Sequence, residues 1–232
     1  MKKRTGEYLE KGDYHKELDK NWKYYPIYRA KVDFVKRFLR GIPKSTKILD
    51  AGCGEGVLVE EFRKKGYDIT GMDLNYSSEH VKKGDITKMP FKNGEFDLVL
   101  CLDIIEHLNF HDQEKAIADI KRVLKKDGRL LLTIPNLAHF ASRVSFLFTG
   151  KLLRTSEIER HPGDRPIKEY LSMLKRNGFD IKWRRGIFPT FPAISVLTYF
   201  FPSRVYPLHR ILNRFLAYPN YSFLNLILCE KD

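Results

Sequence analysis

The segment that decides the fold is ILDAGCGEG (residues 48–56), where a short apolar strand runs into three closely spaced glycines. A helical pattern from about residue 55 to 65 follows it directly. Glycine lets the backbone approach a ligand closely, and the exposed N–H groups at the start of a helix favour anionic ligand groups. The segment therefore predicts a strand, a ligand-binding loop and a helix in immediate succession.

The same alternation of strands and helices continues along the rest of the chain. Strands are predicted around residues 47–49, 67–72, 80–83, 96–101, 129–134, 179–184 and 223–229. Helices are predicted at about 27–39, 55–65, 112–127 and 166–177, the third with Asp112 as its N-cap and Gly128 beyond its end. This order is typical of an α/β fold with a doubly wound, mostly parallel sheet of seven strands, which binds ligands at the carboxyl ends of its strands.

Length and composition favour a single domain over residues 1–232. The chain is 43% apolar and 13% aromatic, which is enough to bury the core of one domain. Residues 1–45 are expected to form an N-terminal helical cap. Two stretches, 136–165 and 186–221, interrupt the alternation at the ligand-binding edge, and loops of this length in a compact domain are usually functional. We expect these insertions to form a lid over the substrate.

Basic residues outnumber acidic ones, and the excess lies at the two ends of the chain. The net charge is +13. Residues 1–47 carry 14 basic and 6 acidic side chains, 48–135 carry 13 and 16, and 136–232 carry 15 and 7, so the three parts contribute +8, −3 and +8. Basic flanks attract phosphates, anionic lipid headgroups or nucleic acid at long range, but they also serve solubility alone. Both explanations stay open.

The cysteines and the first residues indicate a reducing compartment. Cys53, Cys101 and Cys229 are an odd number without a CxxC pair, which favours neither a disulfide framework nor a structural zinc site. The opening MKKRTGEYLEKG is basic but is not followed by the apolar stretch of a secretory signal. We expect a cytoplasmic protein.

Carboxylates near three successive strand ends indicate which chemical groups the ligand has. Asp50 would repel a pyrophosphate, and Val57 stands where a dinucleotide fingerprint requires glycine, so a nicotinamide cofactor is disfavoured. An acid at residue 50 suits a cationic amine instead. Asp73, 21 residues after Gly52, can accept both hydroxyls of a ribose, and Asp85 can accept from the amine of a purine. An amine, a ribose and an adenine together describe S-adenosylmethionine.

Five segments, in order, resemble the class I S-adenosylmethionine-dependent methyltransferases: ILDAGCGEG, GMDLN, GDI, FDLVLCLDIIEHL and IKRVLKKDGRLLLTIPN. The resemblance is strong over about residues 45–135 and implies a Rossmann-like fold with an antiparallel last strand. It is closest to the ubiquinone/menaquinone-type and surface-glycan-type methyltransferases, and it implies S-adenosylhomocysteine as the product. The cofactor residues that it implies are Asp50, Gly52, Cys53, Gly54, Asp73, Leu74, Asp85, Ile86, Cys101 and Leu102.

The segment after the fourth strand, residues 103–107, holds the candidate catalytic groups. A hydroxyl acceptor benefits from a nearby base, and we predict His107 in this role with Asp103 and Glu106 beside it. A histidine that only fixes the loop is the alternative. The segment also resembles a D/E-x-x-E-H cluster that binds a divalent metal in small-RNA and ubiquinone-pathway O-methyltransferases. A further ligand would then come from His139 or His161. We expect a reaction without a metal and keep the metal as an alternative.

The second insertion indicates the kind of acceptor. Residues 186–203 carry no charge and alternate aromatic residues with prolines, which forbid a continuous spanning helix. A lid packed onto the sheet is the structure that we expect for this stretch. Because arginines border it, contact with a membrane interface is the first alternative, and a dimer contact is the second. We expect methyl transfer to oxygen of a small or lipid-linked acceptor. RNA methylation, which the scattered basic residues disfavour, and a non-catalytic binding module are the alternatives.

Overall fold

The sheet has the seven strands that the sequence predicts. A computed structural model describes residues 18–153 and 161–232. The strand order is β3-β2-β1-β4-β5-β7-β6. Strands β1 to β5 pair in parallel, and β7 is antiparallel to both β5 and β6, so a mostly parallel sheet with an antiparallel last strand is confirmed. The strands are β1 (Ile48–Ala51), β2 (Ile69–Asp73), β3 (Val81–Lys83), β4 (Phe96–Leu102), β5 (Leu124–Pro135), β6 (Phe179–Pro189) and β7 (Ser222–Lys231).

Helices cover both faces of this sheet. They are α1 (Tyr25–Arg40), α2 (Val57–Arg63), α3 (Phe110–Val123), α4 (Phe140–Thr149), α5 (Ile167–Arg176), α6 (Pro192–Phe200) and α7 (Pro202–Phe215), with a 3-10 turn at Ile105–His107. Val99 of β4 belongs to the buried cluster that holds α3 and α5. Its neighbours Leu98 and Leu100 belong to the cluster that holds α1 and α2. Because successive side chains of a strand alternate between faces, these two clusters lie on opposite sides of the sheet.

The boundaries of α3 and β5 differ from the prediction. Asn109, and not Asp112, is the N-cap of α3, and its side chain accepts a hydrogen bond from the Asp112 N–H. The helix ends at Val123 and the strand begins at Leu124, so Gly128 lies within β5 and not beyond the helix. Several neighbouring residues could cap or end this helix, and the ends of helices are uncertain by one or two residues when they are predicted from sequence.

Helix α1 lies within residues 1–45, the predicted N-terminal cap. Residues 1–17 of that cap lie outside the described residues. Its buried positions Lys31, Val35 and Leu39 follow one another at four-residue spacing, as one face of a helix requires. The helix ends before Gly41 and packs against β6 and α7. The first described helix is thereby joined to the last third of the chain.

The two predicted insertions contribute three helices. Residues 136–165 include α4, while residues 154–160 lie outside the described residues. Strand β6 extends to Pro189, so the second insertion, 186–221, begins inside the sheet and then forms α6 and α7. His209 of α7 is buried, stacks on Phe188 and shares a hydrogen bond with Thr198 of α6. Within the two described ranges, no helix has the length and apolar character needed to cross a membrane.

Candidate functional site

The loop between β1 and α2 is held by the end of β2. The N–H groups of Gly52 and Cys53 donate to the Met72 carbonyl at 2.7 and 3.1 Å. The Gly54 N–H donates to Asp73 Oδ2 at 3.0 Å. Gly52 and Gly54 have left-handed backbones, with φ of 84° and 57°, which explains the need for glycine at both positions. The loop is thus fixed at the carboxyl ends of two parallel strands, where folds of this kind bind their ligands.

Asp50 is a buried carboxylate in β1, directly before this loop. The residue is 4% exposed, and among the described residues no group donates a hydrogen bond to its carboxylate. Burial raises its pKa from 3.8 to about 7, and the nearby Lys31 ammonium opposes this rise. Because a buried carboxylate without a partner is costly, Asp50 is suited to a cation that a ligand brings with it.

Asp73, the last residue of β2, already receives three backbone hydrogen bonds. Besides the bond from Gly54 at 3.0 Å, the N–H groups of Asn75 and Tyr76 donate to its Oδ1 at 2.9 and 3.3 Å. A carboxylate has about four acceptor positions, so this one has room for one further donor. The prediction that Asp73 accepts both ribose hydroxyls therefore requires it to give up one bond to the loop.

The other predicted cofactor residues lie around the same strand ends. Asp85 closes a turn after β3, where its Oδ1 accepts hydrogen bonds from the N–H and the hydroxyl of Thr87, both at 2.8 Å. A turn fixed in this way presents the backbone of the following residue in one conformation. Among the other predicted residues, Ile86 and Cys101 are buried and Leu74 and Leu102 are half-buried.

Cys53 and Cys101 behave as small apolar side chains. Cys53 packs against Gly71, where an added Cβ would lie 2.6 Å from the cysteine sulfur. Burial, with nearby carboxylates, raises the pKa of both thiols above the ordinary value. A thiol with a raised pKa is a weak nucleophile, which favours a packing role for both residues.

A lysine from α1 enters the site and pairs with Asp103. Lys31 is 8% exposed; its Nζ contacts Asp103 Oδ2 and lies 5.0 Å from the centre of the Tyr28 ring. Asp103 has a left-handed backbone, with φ of 56°, and its N–H donates to Thr133 Oγ1 at 2.7 Å. Burial acts to raise the pKa of Asp103, but Lys31 and the Thr133 hydroxyl hold it below its ordinary value. Asp103 is therefore an ionised, firmly positioned group.

Glu106, His107 and His161 come together just beyond β4. One potential ligand atom from each lies within 4.8 Å of the others. The two imidazole rings meet edge to face, with 4.6 Å between their centres. Glu106 is 2% exposed, and its Oε2 has no hydrogen-bond partner within the described part of the chain. Burial, together with the charge of Asp103, raises the pKa of Glu106 well above its ordinary value.

Gly163 and Gln113 fix the segment that carries His161. The Gly163 N–H donates to the Glu106 carbonyl at 3.2 Å. Its own carbonyl accepts from Nε2 of Gln113, a fully buried residue of α3, at 2.8 Å. An added Cβ on Gly163 would lie 1.9 Å from the Leu108 carbonyl oxygen, so glycine is required there for space. The position of His161 thus depends on close backbone packing.

The two histidines that the sequence offers as a further ligand lie in different places. His161, and not His139, is grouped with Glu106 and His107. His139 instead caps α4, where its Nδ1 accepts a hydrogen bond from the Ser142 N–H at 3.2 Å. Burial lowers the pKa of His139 to about 4, so it stays neutral in this structural role.

Sequence reasoning missed Lys31 and Tyr28, which α1 contributes to the site. A signal was present, because Lys31 stands four residues from both Ile27 and Val35 on the apolar face of the helix. A lysine on a buried face almost always has a partner. That partner, Asp103, is 72 residues away in the chain, and no local pattern points to it.

Comparison with known proteins identifies the family. Residues 21–182 match a family model described as a methyltransferase domain. The uncharacterised protein MJ1123 of Methanocaldococcus jannaschii is 31% identical over 185 residues, which are 76% of this chain and 82% of that protein. Another M. jannaschii protein, MJ0638, is 36% identical over 98 residues, covering 40% of this chain and 42% of that one. The ubiquinone biosynthesis O-methyltransferase of Pelagibacter ubique is 26% identical over 160 residues, covering 62% and 65%. The chain thus spans less than two thirds of the length of the last two relatives.

Solved structures share the fold. A SAM-dependent methyltransferase from Archaeoglobus fulgidus superposes with a TM-score of 0.60 at 17% identity, covering 94% of this chain and 100% of that one. The PH0226 protein from Pyrococcus horikoshii superposes with a TM-score of 0.62 at 14% identity, covering 99% and 100%. The predicted Rossmann-like methyltransferase fold is therefore confirmed, and the chain belongs to the methyltransferase family whose model matches residues 21–182.

Proposed function

We propose that this enzyme transfers the methyl group of S-adenosylmethionine to an oxygen of a small or lipid-linked acceptor. The observation that carries the proposal is the grouping of the buried Glu106 with His107 and His161. Glu106 lies three residues after Asp103, the partner of Lys31. Methyl transfer to a hydroxyl forms an O–C bond, breaks the C–S bond of the cofactor and releases a proton, which a nearby histidine is suited to take. The printed function of the Pelagibacter relative, an O-methyltransferase, supports the choice of oxygen.

The residues at the strand ends fit the cofactor that the family uses. Asp50, buried and without a donor, is suited to the methionine ammonium, and a bound cation favours the ionised form of a carboxylate. Asp73 has an acceptor position for a ribose hydroxyl, and Asp85 with Ile86 lies at the next strand end, where we place the adenine. The remaining contacts are assigned to Gly52, Cys53, Gly54, Leu74, Cys101 and Leu102.

On the acceptor side we assign the base to His107 and positioning roles to Asp103 and Glu106. His107 is exposed, so an acceptor can reach its ring. Asp103 is already ionised and paired with Lys31. The raised pKa of Glu106 favours its protonated form, which can donate a hydrogen bond but cannot take up a second proton. These differences leave His107 as the group suited to accept the proton.

A divalent cation is the alternative way to activate an acceptor at this place. Glu106, His107 and His161 would hold it through one oxygen and two nitrogens, and the unpartnered Oε2 of Glu106 fits such an ion. The ion would lower the pKa of an acceptor hydroxyl. Asp103, the other predicted ligand, is paired with Lys31 and is not part of this group of three.

Replacement of His107 by alanine tests the assignment. We expect kcat for transfer of a labelled methyl group to a phenol with a short prenyl chain to fall by about 100-fold or more. Binding of S-adenosylhomocysteine, measured by calorimetry, should change by less than about twofold, because His107 lies outside the glycine loop. His111→Ala is the matched control, since His111 is exposed on α3 and is not part of the cluster.

A chelator separates the two modes of activation in the same assay. A rate that is unchanged by EDTA but lost in His107→Ala supports the histidine base. A rate that EDTA abolishes and Mg²⁺ or Mn²⁺ restores supports the cation. Full activity of His107→Ala in EDTA would rule out both. Methyl transfer confined to nitrogen acceptors or to RNA would overturn the proposed function itself.

The two insertions are proposed to form one lid within a single domain spanning residues 1–232. Helix α6 contacts both α4 and α7. The Phe140 ring of α4 lies 5.8 Å from the Phe191 ring at the start of α6, which joins the two insertions. Both insertions follow strands whose carboxyl ends lie at the cofactor edge of the sheet, so the lid is placed where an acceptor must enter.

The lid helices present a surface that suits a lipid-linked acceptor. Leu147 and Phe148 of α4 are 78% and 80% exposed, and Tyr199 and Phe200 of α6 are 63% and 65% exposed. From residue 181 to 229 the chain has six basic residues and no acidic one. Exposed apolar side chains next to basic ones favour the interface of an anionic membrane. Residues 186–190 of the predicted 186–203 contact are buried at the end of β6, so we propose that α6 and the residues that follow it, together with α4, contact such a membrane.

Vesicle flotation tests this contact. The protein should float with phosphatidylglycerol vesicles at low salt and remain unbound with phosphatidylcholine vesicles, because the attraction is partly electrostatic. Phe148→Asp should lose most of the bound fraction. Ser45→Asp is the control, because it adds the same charge at an exposed position before β1, at the opposite edge of the sheet. Equal flotation of Phe148→Asp and the unaltered protein would contradict the proposal.

A further inference from the structure

A cleft outside the proposed cofactor site is lined by arginines and aromatic rings. It has a volume of about 460 Å³ and lies between α1, β6 and the end of α7. Arg184, Arg185 and Arg214 contribute to its lining, together with aromatic side chains that include Phe34 and Trp183. The cleft is open to solvent, so its charge and its rings, and not enclosure, would hold a ligand.

The charge of this cleft is not neutralised by the elements that form it. Within the described ranges, no carboxylate forms an ion pair with any of its three arginines. Asp33 of α1 accepts a hydrogen bond from the Tyr206 hydroxyl at 2.6 Å. Asp180 of β6 pairs with Lys182 at 3.1 Å. Arg184 Nε is buried and has no hydrogen-bond partner among the described residues. Its Nη2 donates to Asn220 Oδ1 at 2.7 Å, which holds the side chain in place. The cleft therefore carries a positive charge that no carboxylate of the described residues neutralises.

Aromatic rings support two of the guanidinium groups. The Arg185 guanidinium carbon lies 5.5 Å from the centre of the Phe34 ring, and that of Arg214 lies 5.7 Å from the centre of the Phe215 ring. Phe34 in turn packs edge to face on Trp183, with 5.8 Å between the ring centres. A guanidinium that lies over a ring keeps its in-plane N–H donors for another partner.

The wall of the cleft that α7 contributes is held in one position. Phe188 of β6 has a left-handed backbone, with φ of 64°, and its N–H donates to Asn213 Oδ1 at 2.6 Å. The Gly186 N–H donates to the Ala217 carbonyl at 3.2 Å. An added Cβ on Gly186 would lie 2.8 Å from the Ala217 carbonyl oxygen, so the strand and the segment after α7 are in close contact. A cleft with fixed walls loses little entropy when a ligand binds.

We propose that this cleft binds the phosphate group of an organic phosphate. The planar fork of arginine matches two phosphate oxygens, and charge-assisted hydrogen bonds of this kind are the strong ones. The aromatic rings would contact the organic part of the ligand. A soluble phosphate ester and the headgroup of an anionic phospholipid share this chemistry. The site is independent of the proposed methyl acceptor, because none of the residues that line the cleft is assigned to the cofactor or to the acceptor.

Binding of phenyl phosphate, followed by calorimetry, tests the site. We expect saturable binding that phenol does not reproduce. Arg185→Gln and Arg214→Gln should each weaken it by about tenfold, the loss of one charge-assisted hydrogen bond. Arg185→Lys keeps the charge and should still weaken binding, since the planar fork is lost. The matched control is Arg210→Gln, which removes the same charge from an exposed position on α7 and should leave binding unchanged. Thermal melting of each variant confirms that it is folded.

Two further measurements separate the sources of the phosphate. If soluble dihexanoyl-phosphatidylglycerol displaces phenyl phosphate and Arg185→Gln reduces vesicle flotation, the ligand is a lipid headgroup. If phenyl phosphate binds but flotation is unaffected by Arg185→Gln, the ligand is a soluble ester. Absence of saturable binding to the folded protein, or an equal loss in Arg210→Gln, would overturn the proposal. These readouts need neither S-adenosylmethionine nor methyl transfer, so they remain informative if the proposed function fails.

Discussion

Replacement of Asp50 by asparagine is expected to weaken the binding of S-adenosylhomocysteine by about 100-fold. The carboxylate is buried and has no donor among the described residues, so in the proposed complex it is the partner of the ligand ammonium. Removing one member of a buried charge pair costs about 2–5 kcal/mol, of which 2.7 kcal/mol already corresponds to that factor. Isothermal titration calorimetry at pH 8, where Asp50 is ionised, measures the loss.

The same substitution should stabilise the protein without its cofactor at alkaline pH. In the folded protein the pKa of Asp50 is about 7, whereas an unfolded aspartate has a pKa of about 3.9. The folded state therefore binds this proton more tightly. The resulting stability is fully present below pH 4 and is lost as the pH rises through 7. Asparagine does not titrate, so the difference in unfolding free energy should favour Asp50→Asn by about 2–4 kcal/mol at pH 8.

Asp68→Asn is the control for both measurements. Asp68 is exposed immediately before β2, so its loss of charge is the same but its surroundings are aqueous. Denaturant titrations of the three proteins at pH 5 and pH 8 give the stability difference. If Asp50→Asn binds S-adenosylhomocysteine as well as the unaltered protein does, Asp50 does not contact the ammonium and the assignment of the cofactor site is wrong.

Gly163→Ala is expected to disable the acceptor side while leaving the cofactor loop intact. The new methyl group would lie 1.9 Å from the Leu108 carbonyl oxygen and 2.0 Å from Gln113 Nε2, so the backbone must move. Overpacking of this kind costs about 1–3 kcal/mol. The hydrogen bonds that the Gly163 carbonyl accepts from Gln113 and from the Tyr170 hydroxyl, both at 2.8 Å, would be strained as well. His161 would be displaced from Glu106.

The measurement compares methyl transfer with cofactor binding. We expect kcat to fall by about tenfold or more, because small misplacements of reacting groups are costly, while affinity for S-adenosylhomocysteine stays within about twofold. Gly41→Ala is the matched control, since a Cβ there meets only the Phe38 carbonyl oxygen at 3.4 Å. Normal activity in a Gly163→Ala protein that has lost stability would show that the His161 segment has no part in the reaction.

Much of the sheet could be predicted because short stretches of sequence are enough to indicate its strands. The run at Phe96–Leu102 is apolar on both faces, as a central parallel strand requires, and the strand ends carry acids and glycines. The direction of β7 could not be read from its residues. An apolar run identifies a strand but not its orientation, so the antiparallel pairing with β5 came only from the resemblance to a family. The lengths of β5 and β6 depend on pairing with β7, which local patterns do not record.

The residues of the candidate site also fall into two groups, those that local sequence indicates and those that only the folded chain brings together. Asp50, Asp73 and the glycine loop belong to one strand–loop–helix unit and its neighbour, so their spacing indicated their place. Lys31 reaches Asp103 across 72 residues. His161 lies beside Glu106 because Gly163 packs closely against Leu108 and against Gln113 of α3, and these residues are far apart in the sequence. Contacts of this kind depend on the packed chain, and a single sequence contains no pattern that specifies them.

The docking of α1 has a consequence for how this enzyme is made. Although α1 is translated before every strand of the sheet, it packs on β6 and α7, and the Tyr206 hydroxyl that bonds its Asp33 is 173 residues further along. While the polypeptide emerges from the ribosome, the contacts of this amphipathic helix with β6 and α7 can therefore form only after those two elements have been synthesised. The strands that hold the glycine loop are made well before α7, so the docking of the helix that carries Lys31 is completed later than the synthesis of that loop.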